Sequence, residues 1–72
     1  LYGGNTGFEQ IKKTIEKSSK LLKYNGRLII EIGEGQKNYT IKMLQSNSFY
    51  INKICKDLSG KDRCLVNTKI NK

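Results

Sequence analysis

Apolar and small residues recur at helical steps from Phe8 onward: Phe8, Ile11, Ile15, the Ser18/Ser19 pair and Leu22. Steps of three and four place them on one stripe, which predicts an amphipathic helix over 8–23. Its other face carries Glu9, Lys12, Lys13, Glu16, Lys17 and Lys20. Glu9 to Lys13 and Glu16 to Lys20 are i,i+4 pairs in the favoured order, each contributing about 0.2–0.5 kcal/mol. Asn5 or Thr6 is placed to cap the helix, and Asn25-Gly26 to close it. The pattern then changes to Arg27-Leu28-Ile29-Ile30-Glu31-Ile32-Gly33, a short apolar run rich in β-branched residues and bounded by glycines. It predicts a strand over 27–33 buried on both faces, as in a parallel α/β sheet. A second helix is expected over 35–45, with Tyr39, Ile41, Met43 and Leu44 as its apolar residues. The last third reads as a β-hairpin, with strands over 50–57 and 62–70 around Leu58-Ser59-Gly60-Lys61. Residues 1–7, with three glycines, are expected to be a loop.

The predicted order is loop, helix, strand, helix, strand, strand, an α/β arrangement ending in an antiparallel pair. Its helices lack some of the strands they should cover. A chain of 72 residues buries only about 60% of the surface it exposes when unfolded. It begins at Leu1 rather than Met and reads as a piece of something larger. No apolar run approaches the ~20 residues of a transmembrane helix, and no charged leader precedes an apolar segment. The expectation is therefore no membrane partner.

Fourteen Lys and Arg against six Asp and Glu give a net charge of +8. That balance invites a nucleic-acid reading, since clustered cations release counterions from phosphates. Twelve of the fourteen are lysines dispersed along the chain, whereas base readers favour Arg forks and stacked aromatics. A lysine-rich solvated surface is the plainer reading, with a stand-alone RNA-binding module as the alternative function. Salt dependence separates the two.

Candidate chemistry is sparse. With no histidine and no Cys-x-x-Cys, the chain offers no zinc site, and no metal is expected. Gly3-Gly4-Asn5-Thr6-Gly7 lacks the spacing of a dinucleotide loop. Glu31 interrupts the buried strand and must find a partner there; Arg63 is the best candidate, with catalytic use of a lone carboxylate as the rival reading. If Asp57 faces Asp62 across the hairpin, Cys55 faces Cys64, near enough in principle to bridge. Without a secretory signal they are expected to stay reduced, and no histidine is present to activate either thiol.

Three stretches taken together resemble a known family. They are Leu1-Tyr2-Gly3-Gly4-Asn5-Thr6-Gly7-Phe8, Gly26-Arg27-Leu28-Ile29-Ile30-Glu31-Ile32-Gly33-Glu34-Gly35-Gln36 and Lys56-Asp57-Leu58-Ser59-Gly60-Lys61-Asp62-Arg63. In this order and spacing they look like the closing segment of the protein-(glutamine-N5) methyltransferases, which modify the Gly-Gly-Gln motif of peptide chain release factors. The resemblance implies the C-terminal part (α-β-α-β-β) of a class I, Rossmann-like methyltransferase fold. Its seventh strand is antiparallel and inserted beside the fifth, which would bring Arg63 toward Glu31. It further implies S-adenosylmethionine as cofactor of the complete enzyme, a release factor as partner and a cytoplasmic location. The family's cofactor loop, acidic ribose-binding residue and Asn-Pro-Pro-Tyr motif are absent from this chain, which has no proline. No catalytic or cofactor-binding residue therefore carries over, and these residues alone are expected to bind no cofactor and to be inactive. Gly3 and Gly4 are expected beside the substrate pocket, while Glu31, Arg63, Gly33 and Gln36 are expected to be structural. Losing the preceding strands would expose a sheet edge and offer a route to self-association.

Overall fold

The computed structural model describes Tyr2–Gly3 and residues 7–70. In chain order the elements are β1 (Tyr2–Gly3), α1 (Phe8–Leu21), β2 (Arg27–Glu31), α2 (Lys37–Ser46), β3 (Phe49–Lys56) and β4 (Asp62–Lys69). Among the described residues the strands form one sheet in the order β1-β2-β4-β3. β1 runs parallel to β2, and β4 is antiparallel to both of its neighbours. The strand at Tyr2–Gly3 corrects the expectation of a loop over 1–7. Glycine-rich sequence gives little strand propensity, but the backbone of β2 supplies partners, with Tyr2 opposite Ile29 and Gly3 opposite Ile30. The proposed caps Asn5 and Thr6 lie outside the described residues.

α1 starts at Gly7, which caps it without a side-chain bond. It buries Ile11, Ile15 and Ser18, three positions of the expected stripe. Phe8 is half exposed and stands edge-on to Tyr39, with ring centroids 4.9 Å apart. The helix ends at Leu21, and Leu22 turns the chain into an extended conformation. Asn25 does not close the helix. It has φ 73° at the third position of a turn in which the Gly26 N–H donates to the Lys23 carbonyl at 2.8 Å, where a left-handed residue is required. Lys69, at the end of β4, does serve the helix end: buried among core residues, its ammonium donates to the Ser19 carbonyl at 3.0 Å. Carbonyls of a last turn lack helical partners and favour a cation. Nothing in the pattern of apolar residues points to this buried lysine.

β2 departs from expectation in one respect that alters the site. It is buried at alternate positions only: Leu28 and Ile30 point into the core, while Arg27, Ile29 and Glu31 point outward. Both helices pack on the same face, where Ile11, Ile15, Leu28, Ile30, Ile32, Leu44, Phe49 and Leu65 form the core. The apolar run is therefore not buried on both faces among the described residues. Glu31 consequently has no burial cost to offset, and the expected Glu31–Arg63 pair is replaced by a contact of Arg63 with Asp57. β3 begins at Phe49, which is buried, and the hairpin carries two irregularities, between Ile51 and Lys53 and between Cys55 and Lys56. Lys56 rather than Asp57 thus faces Asp62, yet Cys55 still faces Cys64 and Ile54 still faces Leu65.

One-sided burial separates two adjacent isoleucines. Ile30→Ala is expected to cost about 2–5 kcal/mol, as large-to-small changes in a packed core do. Ile29→Ala, at a position 38% exposed, should cost at most about 1 kcal/mol, the span of strand propensity. Urea denaturation of both variants checks this, and equal losses would mean that both faces of the sheet are covered.

Candidate functional site

Where β2 ends, the chain makes a tight connection to α2, and the tip of the β3–β4 hairpin stands opposite. Between them lies a cleft of about 210 Å³ lined by residues 32–35, Lys37 and residues 60–63. A backbone bond joins its two walls, the Ile32 N–H donating to the Arg63 carbonyl at 2.9 Å.

The first wall is shaped by Gln36. Its Oε1 accepts the Gly33 N–H at 2.6 Å, its own N–H donates to the Gly33 carbonyl at 3.2 Å, and its carbonyl accepts the Thr40 N–H at 3.0 Å. Thr40 Oγ1 donates to the same carbonyl at 2.7 Å. Gly35 has φ 80°, a left-handed value that glycine adopts without Cβ strain. Gly33 and Gln36 are thus joined in one closed turn at the mouth of the cleft.

The second wall is organised by Asp57. Its Oδ1 accepts the Ser59 N–H at 2.9 Å, the Ser59 hydroxyl at 2.7 Å and the Lys61 N–H at 2.9 Å, and its Oδ2 accepts Arg63 Nε at 2.7 Å. Gly60, at φ 89°, turns the tip. Four hydrogen bonds to one carboxylate favour its charged form. The Ser59 hydroxyl, the Lys61 N–H and the Arg63 guanidinium hold the Asp57 carboxyl far below the ordinary carboxylate range. Asp62 is also held low, first by its hydrogen bond from Lys56 and then by that from Lys37.

Two ion pairs cross the cleft. Lys37 Nζ, at the start of α2, lies 3.2 Å from Asp62 Oδ2, and Lys61 Nζ lies 3.9 Å from Glu34 Oε1. Lys56 adds a third contact, 2.6 Å from Asp62 Oδ1. Exposed pairs of this kind contribute about 0–1 kcal/mol each and weaken with salt. Their effect is to orient the rim, and they engage cations that a purely compositional view assigns to phosphate.

The chemistry the rim offers is recognition by backbone groups and cations. Among the described residues no group of three or more His, Cys, Asp or Glu side chains could hold a metal. No described helix is long and apolar enough to cross a membrane. The cleft is smaller than the ~300 Å³ at which small-molecule sites begin, and its acids are engaged by lysines and by their own loop. A wider hollow beside the end of α1 is lined by Ser19, Lys20, Leu22, Lys23, Tyr24 and Lys69. Of the residues singled out in the sequence, Gly33 and Arg63 line this cleft, and Gln36 accepts the Gly33 N–H behind it. Glu31 points out of the sheet instead. Gly3 pairs with Ile30 in β1, which runs toward the same end of the sheet as β2, and Gly4 lies outside the described residues. Asp57, the acceptor on which the tip depends, stands in the Lys-Asp-Leu-x-Gly motif, but its spacing to Ser59 and Lys61 was the only sign of this turn role.

Because the native pKa of Asp57 lies below its value in the unfolded chain, about 3.9, its stabilising contribution is complete above about pH 4. It is lost as pH falls through the native pKa. NMR titration should accordingly show the Ser59 and Lys61 amide protons holding their shifts through pH 4 and moving together at lower pH. Asp57→Asn should abolish that transition and bring the two shifts toward loop values at neutral pH. Invariant shifts in the variant would mean that the carboxylate does not hold the turn.

No protein-family model matches the chain, and no solved structure matches it. Curated proteins do. A release factor glutamine methyltransferase of Aquifex aeolicus is 36% identical over 66 residues, covering 92% of this chain and 23% of that protein. One of Thermodesulfovibrio yellowstonii is 32% identical over 66 residues, again 92% of this chain and 24% of the relative. A bifunctional methyltransferase of Rickettsia felis is 31% identical over 71 residues, 99% of this chain and 14% of the relative. The chain thus spans less than a quarter of the length of these relatives. Over nearly all its residues it is similar to a C-terminal segment of the release factor glutamine methyltransferases.

Proposed function

We propose that this chain is the closing segment of a cytoplasmic, S-adenosylmethionine-dependent methyltransferase that modifies a glutamine side-chain nitrogen of peptide chain release factors. The reading rests on a coincidence of two observations. The stretches that resemble the family, around Gly33-Glu34-Gly35-Gln36 and Lys56-Asp57-Leu58-Ser59-Gly60-Lys61-Asp62-Arg63, are the stretches that build the cleft. In this reading β2, β3 and β4 are the fifth, sixth and seventh strands of a class I fold, with β4 inserted between the other two. The segment's part is architectural: it extends the sheet, contributes the helix-side core and walls one side of the pocket in which the release factor glutamine is held. Gly3 ends β1, which runs parallel to β2 and so toward the end of the sheet where that pocket opens. Ligands of α/β sheets bind beyond the carboxyl ends of the strands, which is where the cleft lies relative to β2. Cofactor binding and the methyl-transfer chemistry belong to parts of the enzyme that precede this segment.

The test exchanges segments. Replacing the matching part of the Aquifex aeolicus relative with these 72 residues should give a folded protein that still transfers labelled methyl groups to a release factor. In that chimera Gln36→Ala, which frees the Gly33 N–H, should lower kcat/KM about ten-fold, the cost of roughly 1.4 kcal/mol of misplacement. A folded but inactive chimera would count against the assignment. The chain by itself should show no micromolar binding of S-adenosylmethionine in calorimetry and no methyl transfer.

A further inference from the structure

Near the tip of the hairpin, Cys55 on β3 and Cys64 on β4 stand directly opposite each other. They occupy the face of the sheet turned away from the helices, in the row that continues to Glu31 on β2. Both are free and half-buried. Directly opposed residues of an antiparallel pair have Cα atoms about 4.5–5.5 Å apart. That falls within the ~4.4–6.8 Å that a disulfide spans, so closing the bridge asks for little backbone movement.

We propose that Cys55 and Cys64 are a reversible dithiol site that closes to a cross-strand disulfide by exchange with a small-molecule disulfide of the glutathione type. Cys55 lies on a strand with no partner on its outer side among the described residues, whereas Cys64 lies on a strand paired on both sides. The thiolate of Cys55 therefore attacks first, forming a mixed disulfide and releasing one small-molecule thiolate, which takes up a proton. The thiolate of Cys64 then attacks the Cys55 sulfur and expels the second small-molecule thiol. In total the protein loses two protons and two electrons, and one small disulfide takes them up to become two thiols. Cys64 suits the second role. Burial pushes its thiol up, and the neighbouring Cys55 and the Glu31 carboxylate push it further, with Lys53 opposing them. It is slow toward external reagents, but an adjacent disulfide reaches it without diffusion. The bridge would close next to the irregularity between Cys55 and Lys56, pinning the hairpin whose tip lines the cleft.

Oxidised glutathione, added to the reduced chain with air excluded, is the test. The expected product is a monomer lighter by two hydrogens with no glutathione retained, and trypsin should release peptides 54–56 and 64–69 joined. The exchange equilibrium should be at least about ten-fold more favourable in native buffer than in concentrated urea, since folding fixes the effective concentration of one thiol at the other. In Cys64→Ser, glutathione should remain on Cys55. Equal equilibria in buffer and urea, a glutathione adduct retained on each cysteine of the unsubstituted chain, or disulfides only between chains would overturn the proposal.

Discussion

β4 runs against every other described strand, and its position between β2 and β3 is the constraint on which the rest depends. An antiparallel strand in an interior position has its N–H and C=O groups matched on both sides. Its register with each neighbour then determines which residues share a face. Opposite β2 it sets Leu65 against Ile30 and Asn67 against Leu28, and opposite β3 it sets Leu65 against Ile54 and Asn67 against Ile51. On its helix-side face β4 carries Leu65, then two buried polar residues, Asn67 and Lys69; the Asn67 amide donates to the Leu28 and Leu65 carbonyls. At its end, Lys69 reaches back to the last turn of α1. One strand links the sheet, the core and a helix terminus.

The same insertion builds the cleft. Arg63 follows the first residue of β4, and its carbonyl receives the Ile32 N–H. The connection out of β2 and the tip of the hairpin are therefore held at a fixed separation. Each wall is then closed by a single side chain, Gln36 on one and Asp57 on the other. Both satisfy backbone donors that would otherwise face solvent at a turn. This explains how a stretch can carry a specific motif without a nucleophile or base. The motif encodes the shape of two loops, and the charged residues around them orient those loops across the gap.

How legible this was differs from element to element. The helix stripe of Ile11 and Ile15, the apolar β2 run, the hairpin and the facing cysteines all follow from periodicity and turn chemistry, because those depend on neighbours in sequence. The strand at Tyr2–Gly3 does not, since a glycine-rich segment becomes a strand only when another strand's backbone is beside it. The pairing of Arg63 turned on one irregularity: Lys56 faces Asp62, which leaves Asp57 free to turn back over the tip and take the guanidinium. The sequence pattern places Asp57 in the strand, and the expected burial of Glu31 with the implied strand insertion places Arg63 beside it.

Taken alone, the sequence determined the kinds of element and their order from α1 onward, together with the family resemblance, for these are set by local propensity and spacing. The tertiary structure decided which face of β2 is buried, where Glu31 and Arg63 go, and that a lysine caps α1 from inside the core. The physical reason is common to the three. An apolar run states how much burial a strand can accept, but only the placement of the helices, both on one face, states how much it receives. A charged side chain, in turn, is paired by the geometry of loops that meet only after the sheet has formed.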